Sequence, residues 1–175
     1  MRYAGIADVV LLDGGLQSWE RSGFELESGE VVRPEGDVTL SAGHLPILAF
    51  EDVAEFATRG VLLDARALER FRGDVEPVDP RAGHIPGARN SPTAENLDSE
   101  GRFLPPSQLR QRFESLGLDA VTPVATYCGS GVTAAHNVVA LTLAGFDAAL
   151  YPGSWSQWSN YADLPVAMGE TDEAS

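Results

Sequence analysis

One stretch constrains this chain more than any other: Val124-Ala125-Thr126-Tyr127-Cys128-Gly129-Ser130-Gly131-Val132-Thr133. Val124 to Tyr127 reads as a short buried strand, and the apolar run from Thr133 to Ala144, closed by Gly145, reads as a helix. The two glycines between them let the backbone curl tightly. A strand that passes through such a loop into a helix is one βα step of a parallel sheet, and parallel sheets are covered on both faces.

Other segments repeat the pattern. Glu51 to Arg59 places Val53, Ala54 and Phe56 on one helical face, and Val61-Leu62-Leu63-Asp64 follows as a strand ending in a carboxylate. Pro105 to Leu116 reads as a helix carrying Leu109, Phe113 and Leu116, with Gly117 at its C′ position, and Asp147 to Tyr151 gives a further strand. The expected fold class is therefore α/β, a parallel sheet flanked by helices on both faces. Gly29 to Gly43, with Pro34, Gly36 and Asp37, reads as a linker (29–43), so the main module is expected over 44–168, with a solvated tail over 169–175.

A repeat explains residues 1–28. Leu12-Asp13-Gly14-Gly15-Leu16-Gln17-Ser18-Trp19 and Tyr151-Pro152-Gly153-Ser154-Trp155-Ser156-Gln157-Trp158 match at Gly14/Gly153 and Trp19/Trp158. Each follows a strand-like run, Val9 to Leu12 or Ala148 to Tyr151, and they lie about one domain's length apart. The chain is expected to open with the last strand and helix of a preceding copy of the same module.

Composition excludes some partners. A formal charge of −14 disfavours nucleic acid and anionic membranes, and no stretch offers the roughly 20 apolar residues of a membrane helix. The first residues lack the pattern of a secretory signal, so a cytoplasmic setting is expected. A lone cysteine cannot form an internal disulfide or a multi-cysteine metal site, and His44 and His136 have no Glu or Cys at ligand spacing, so neither metal nor cofactor is expected.

Cys128 is then either an inert buried thiol or a reactive one, and its neighbours decide. It stands where a strand ends and a helix begins, the edge at which open α/β sheets place ligands. Loop amides and a helix N-terminus facing the sulfur, with Thr133 as helix cap, should hold the thiol below its free pKa of roughly 8.5. The same cradle suits a persulfide and a two-step sulfur shuttle.

These residues carry a resemblance. Cys128-Gly129-Ser130-Gly131-Val132-Thr133-Ala134, with Leu63-Asp64-Ala65-Arg66, Gly83-His84-Ile85-Pro86-Gly87-Ala88 and Tyr151-Pro152-Gly153-Ser154-Trp155, resembles the C-terminal module of tandem rhodanese-family sulfurtransferases. The Gly-Ser-Gly loop is similar to that of the 3-mercaptopyruvate enzymes, whereas thiosulfate enzymes of the family carry Arg-Lys after the cysteine. The resemblance implies a rhodanese-like fold and transfer of sulfur from a small donor to cyanide, a thiol or thioredoxin. It also implies that a preceding module, mostly absent here, would pack across the cleft. By the same resemblance Cys128 is the nucleophile, Ser130 relays a proton, and Arg70 and Arg81 bind the donor carboxylate together with Gly129, Gly131, Val132 and Thr133. Asp64, Arg66, His84 and Trp155 are expected to be structural near the site, and Arg72 a solvated surface residue.

Three rivals remain. A cysteine phosphatase of this architecture needs an arginine six residues after the cysteine, where Ala134 stands. A thioredoxin-like Cys-x-x-Cys would need a cysteine at Gly131. A non-catalytic or sulfur-carrying rhodanese module is the alternative from another class, and retention of Cys128 favours the enzyme.

Overall fold

The computed structural model describes residues 1–170, arranged as two compact units: Met1–Leu45 with Leu97–Phe103, and Pro46–Asn96 with Leu104–Ser175. The second unit holds one sheet of four parallel strands in the order β2-β1-β3-β4, where β1 is Val61–Asp64, β2 Ala88–Asn90, β3 Val124–Tyr127 and β4 Ala148–Leu150. Every residue of β1 and β3 is buried, as two-sided cover requires. Pairing of Leu62 with both Ala88 and Ala125 sets the register, so Leu62, Asp64, Ala125 and Tyr127 share one face and Leu63 and Thr126 the other.

The first face forms the main hydrophobic cluster. Leu62, Ala125 and Tyr127 pack with Val53 and Phe56 of α2 (Val53–Arg59), Phe71 of α3 (Leu68–Arg72), and Trp155 and Trp158 of α6 (Ser154–Trp158). On the other face Asn137 of α5 (Val132–Leu143) donates to Thr126 Oγ1 at 3.2 Å. Helix α5 packs in turn on α4 (Pro106–Ser115), where Leu109 and Phe113 of α4 and Leu141 of α5 are buried. The α/β architecture read from the sequence is the one observed. Along the outer edge of β4, the Leu48 amide donates to Leu150 O at 2.9 Å and the Leu150 amide to Pro46 O at 3.1 Å, so an irregular segment covers the strand's free edge.

One expectation for this unit is corrected. Thr133 does not cap α5: Gly131 stands at the N-cap with φ +83°, and no side chain caps the helix. The turn needs a left-handed residue, and a Cβ there would lie 2.7 Å from Pro152 O, so only glycine fits. In the stretch expected as a solvated tail, Gly169 and Glu170 are exposed, the Gly169 amide donates to Arg72 O at 3.0 Å and Glu170 pairs with Arg72; the rest of it, 171–175, lies outside the described residues. Helix α3 and strand β2 had no clear sequence signal.

In the first unit, α1 (Gly15–Arg21) forms where the repeat places a helix, but Val9 to Leu12 is not a strand. Among the described residues no strand pairs with it, and Val10 stays 94% exposed; an unpaired four-residue run gains too little to hold extended geometry. The short turn 97–103 belongs to this unit. Asp13 Oδ1 accepts the Phe103 amide at 2.9 Å, and the Arg102 guanidinium donates to Ser18 Oγ at 3.1 and 3.3 Å. Residues 29–43 carry no helix or strand. Among the described residues no helix is long and apolar enough to cross a membrane.

Candidate active site

Cys128 follows the last residue of β3 and is 2% exposed. The Gly131 amide donates to its Sγ at 3.1 Å. The loop takes that shape because its other backbone groups are held from α6. The Trp155 amide donates to Cys128 O and the Ser156 amide to Gly129 O, both at 2.9 Å. The Cys128 amide donates to Ser154 Oγ at 3.1 Å, and that hydroxyl donates to Tyr151 O at 2.9 Å. Ser154 is fully buried and is the one non-glycine among the described residues with positive φ, +54°. A backbone strained by about 1–3 kcal/mol persists only where its surroundings over-determine it, and here four hydrogen bonds around the cysteine loop do so. Sequence reasoning did not assign Ser154 a role; the Gly153-Ser154-Trp155 run was visible, but nothing in it signals a left-handed serine.

A cavity of ≈ 460 Å³ opens over the sulfur. Its walls are Ala65 to Ala67 with Arg70, Pro92 to Ala94, and the loop residues Cys128, Gly129, Ser130, Val132 and Thr133. Ser130, Val132 and Thr133 stand at its exposed rim, while Gly131 is buried behind the loop. The geometry therefore brings Arg66, Arg70 and the loop together.

Arg70 and Arg66 sit in a row of alternating charges. Arg66 Nη2 pairs with Asp64 Oδ2 at 2.6 Å, and its Nη1 reaches Glu76 Oε2 at 3.3 Å; both Arg66 and Asp64 are buried at the end of β1. Glu76 also takes Arg70, with Oε1 to Nη2 at 2.6 Å and Oε2 to Nε at 3.3 Å, and Asp79 Oδ2 lies 3.3 Å from the same Nη2. Glu76 Oε1 further accepts the amides of Val78 and Asp79 at 3.1 Å each. Burial pushes the Glu76 carboxyl up, but the Arg70 hydrogen bond and those two amides outweigh it and hold the group below the usual range. Burial lowers Arg66, but its hydrogen bond to Asp64 together with the charges of Asp64, Tyr127 and Glu76 outweighs it and raises the group overall. Tyr127, whose hydroxyl accepts the Ile85 amide at 3.2 Å, is pushed well up by burial and by the Asp64 charge. Glu76 and Asp79 were missed by sequence reasoning because the segment from Asp74 to Asp79 is aperiodic.

Arg81 is a correction. It does not line the cavity: its guanidinium donates to the main-chain carbonyls of Trp158, Ser159, Tyr161 and Leu164 at 2.6 to 3.1 Å, and so is consumed in holding the turn after α6. His84 and Trp155 lie off the cavity as well. The His84 ring stacks on Phe71 at 3.7 Å with Nδ1 2.8 Å from Phe71 O, and its backbone pairs with Ala167. Trp155 is fully buried under Arg66, 4.8 Å from guanidinium carbon to ring centroid, with Nε1 donating to Arg81 O at 2.9 Å. Arg72 is held in the ion pair with Glu170.

The fold and this site define a thiol-centred α/β domain, with a cysteine cradled by backbone at the carboxyl edge of a parallel sheet. Residues 50–161 match the rhodanese-like domain, and the chain belongs to that family. A Pseudomonas aeruginosa protein provisionally named 3-mercaptopyruvate sulfurtransferase is 51% identical over 166 residues, covering 93% of this chain and 58% of that protein. A Mycobacterium tuberculosis protein provisionally named thiosulfate sulfurtransferase SseB is 47% identical over 171 residues, covering 95% and 60%. The chain thus spans about 60% of the length of these two relatives. Among solved structures, an anaerobic ergothioneine biosynthesis enzyme from Chlorobium limicola superimposes with TM-score 0.84 at 23% identity, over 96% of this chain and 43% of that one, a likeness of fold.

Proposed function

We propose that this chain is a sulfurtransferase that moves sulfur from a small anionic donor to a thiophilic acceptor through a persulfide on Cys128. The observation that carries the reading is the Gly131 amide on Sγ, within a cavity that also receives Arg70. With 3-mercaptopyruvate, the Cys128 thiolate attacks the donor sulfur, an S–S bond forms and the C–S bond breaks. The electron pair leaves on carbon, which takes the thiol proton to give pyruvate and Cys128–S–S⁻. A thiol, cyanide or thioredoxin then takes the outer sulfur and restores the thiolate. Arg70 holds the donor carboxylate, and Ser130 at the rim carries the proton to the enolate carbon.

The favoured donor is 3-mercaptopyruvate, because Gly129 and Ser130 put no cation in the loop. The name of the Mycobacterium tuberculosis relative supports thiosulfate as a second reading with the same cysteine, in which sulfite leaves. The echo of Gly153 to Trp158 in Gly14 to Trp19 supports a preceding module across the cleft, and a thiol that must stay reduced supports a cytoplasmic setting.

Single-turnover mixing with each donor tests the reading, with the gain of one sulfur read by intact mass. The chain is expected to gain it from 3-mercaptopyruvate faster than from thiosulfate, and Cys128→Ser not at all. Faster gain from thiosulfate would reverse the donor order, and no gain from either would refute the enzyme.

A further inference from the structure

The cavity over Cys128 is short of positive charge in a way its arginines conceal. The row beneath it contains two guanidiniums, Arg66 and Arg70, and three carboxylates, Asp64, Glu76 and Asp79, so it carries one negative charge in excess. The side chains of Asp64, Arg66, Glu76 and Asp79 are each at most 5% exposed and that of Arg70 is 22% exposed, so solvent screens these charges poorly. Among the described residues no other lysine or arginine lines the cavity.

Glu76 and Asp79 also decide which edge of Arg70 is available. They take Nε and Nη2, and Nη1 faces the loop, 3.5 Å from where a Cβ on Gly129 would stand. One guanidinium nitrogen suits one carboxylate. A dianion brings a second charge that finds no partner and meets the excess negative charge behind Arg70, in a setting where charges interact more strongly than in water.

We propose that Glu76, assisted by Asp79, is a specificity-determining residue: it fixes Arg70 with Nη1 toward Gly129 and cancels its charge, so that the cavity takes small monoanionic carboxylates and rejects dianions such as thiosulfate. This deepens the function proposed above and rests on it only for the identity of the sulfur donor.

The test reads the cavity without turnover. Cys128 in the whole chain is alkylated with neutral iodoacetamide, and protection by pyruvate, a monoanion, and by sulfate, a dianion, is titrated in wild type, Glu76→Gln and Asp79→Asn. Pyruvate should protect wild type at lower concentration than sulfate. In either variant the protective concentration of sulfate relative to pyruvate should fall about tenfold, because removing one buried charge favours the dianion selectively. Should Glu76→Gln fail to fold, Asp79→Asn takes one charge from the same row and tests whether that excess charge sets the anion ratio. A residue that merely braces Arg70 would weaken both anions together, so an unchanged ratio in the folded variants overturns the proposal, as does a wild type protected by neither anion or better by sulfate. The outcome is independent of persulfide chemistry: a shifted ratio in a chain that accepts no sulfur from any donor would uphold the selectivity and refute the sulfurtransferase.

Discussion

Arg70 lies in α3 and Arg81 on the connection from α3 to β2, and both guanidiniums are held by protein oxygens. The oxygens differ in kind. Those around Arg81 are four main-chain carbonyls of the turn after α6, which cannot yield without the backbone moving. Those around Arg70 are two side-chain carboxylates, which compensate its charge and leave Nη1 on the cavity side. An arginine bound by carbonyls is a strut, and one bound by carboxylates along one edge is a poised ligand-binding group.

The sharpest way to break this comparison is Arg81→Ala. It leaves four carbonyls, three of them partly buried, without their charged donor, so it should cost about 2–4 kcal/mol of stability, read as a lower denaturation midpoint. The protein that remains folded should still form persulfide at a near wild-type rate. Ser154→Ala probes the same end of the chain one step nearer the sulfur. It strands the Cys128 amide and keeps a strained φ, and should cost about 1–2 kcal/mol while slowing persulfide formation several-fold in stopped-flow single turnovers.

Arg70→Lys should behave in the opposite way. A lysine keeps the charge but loses the fork, so persulfide formation from 3-mercaptopyruvate should slow about tenfold, near 1.4 kcal/mol of barrier, with stability within about 1 kcal/mol of wild type. Equal stability losses in Arg81→Ala and Arg70→Lys would erase the distinction. The smallest effect concerns acid. Because the Glu76 pKa is lowered on folding, its contribution is fully present above its unfolded value of about 4.3 and is lost as pH falls through the lower folded value. Denaturation midpoints followed downward from pH 6 should therefore converge between wild type and Glu76→Gln, whereas a constant gap would show that the charge of Glu76 is not what Arg70 requires.

The sequence spoke clearly where periodicity and burial coincide. Strands β1 and β3 are four-residue apolar runs between a helix and a loop, and both were legible to the residue. Two of the three residues of strand β2, Arg89 and Asn90, are polar, and helix α3 has five residues, too few to show a helical period. Val9 to Leu12 has strand composition but no strand partner among the described residues, which composition cannot report. In the site, Cys128 was legible because a glycine loop follows its strand, and Arg70 only through what the family resemblance implies. Arg81 misled because the carbonyls that consume it come from Trp158 to Leu164, a turn brought near only by the fold. Glu76, Asp79 and Ser154 were silent for the same reason: each acts through a partner set by tertiary contact.

The most direct measurement of the central claim is peptide-level mass spectrometry after one turnover with a donor whose transferable sulfur is isotopically labelled. The account predicts the label as a persulfide on the peptide containing Cys128, removed on addition of cyanide and absent from Cys128→Ser. Cys128 without the label, in protein that has released pyruvate from 3-mercaptopyruvate, would contradict it.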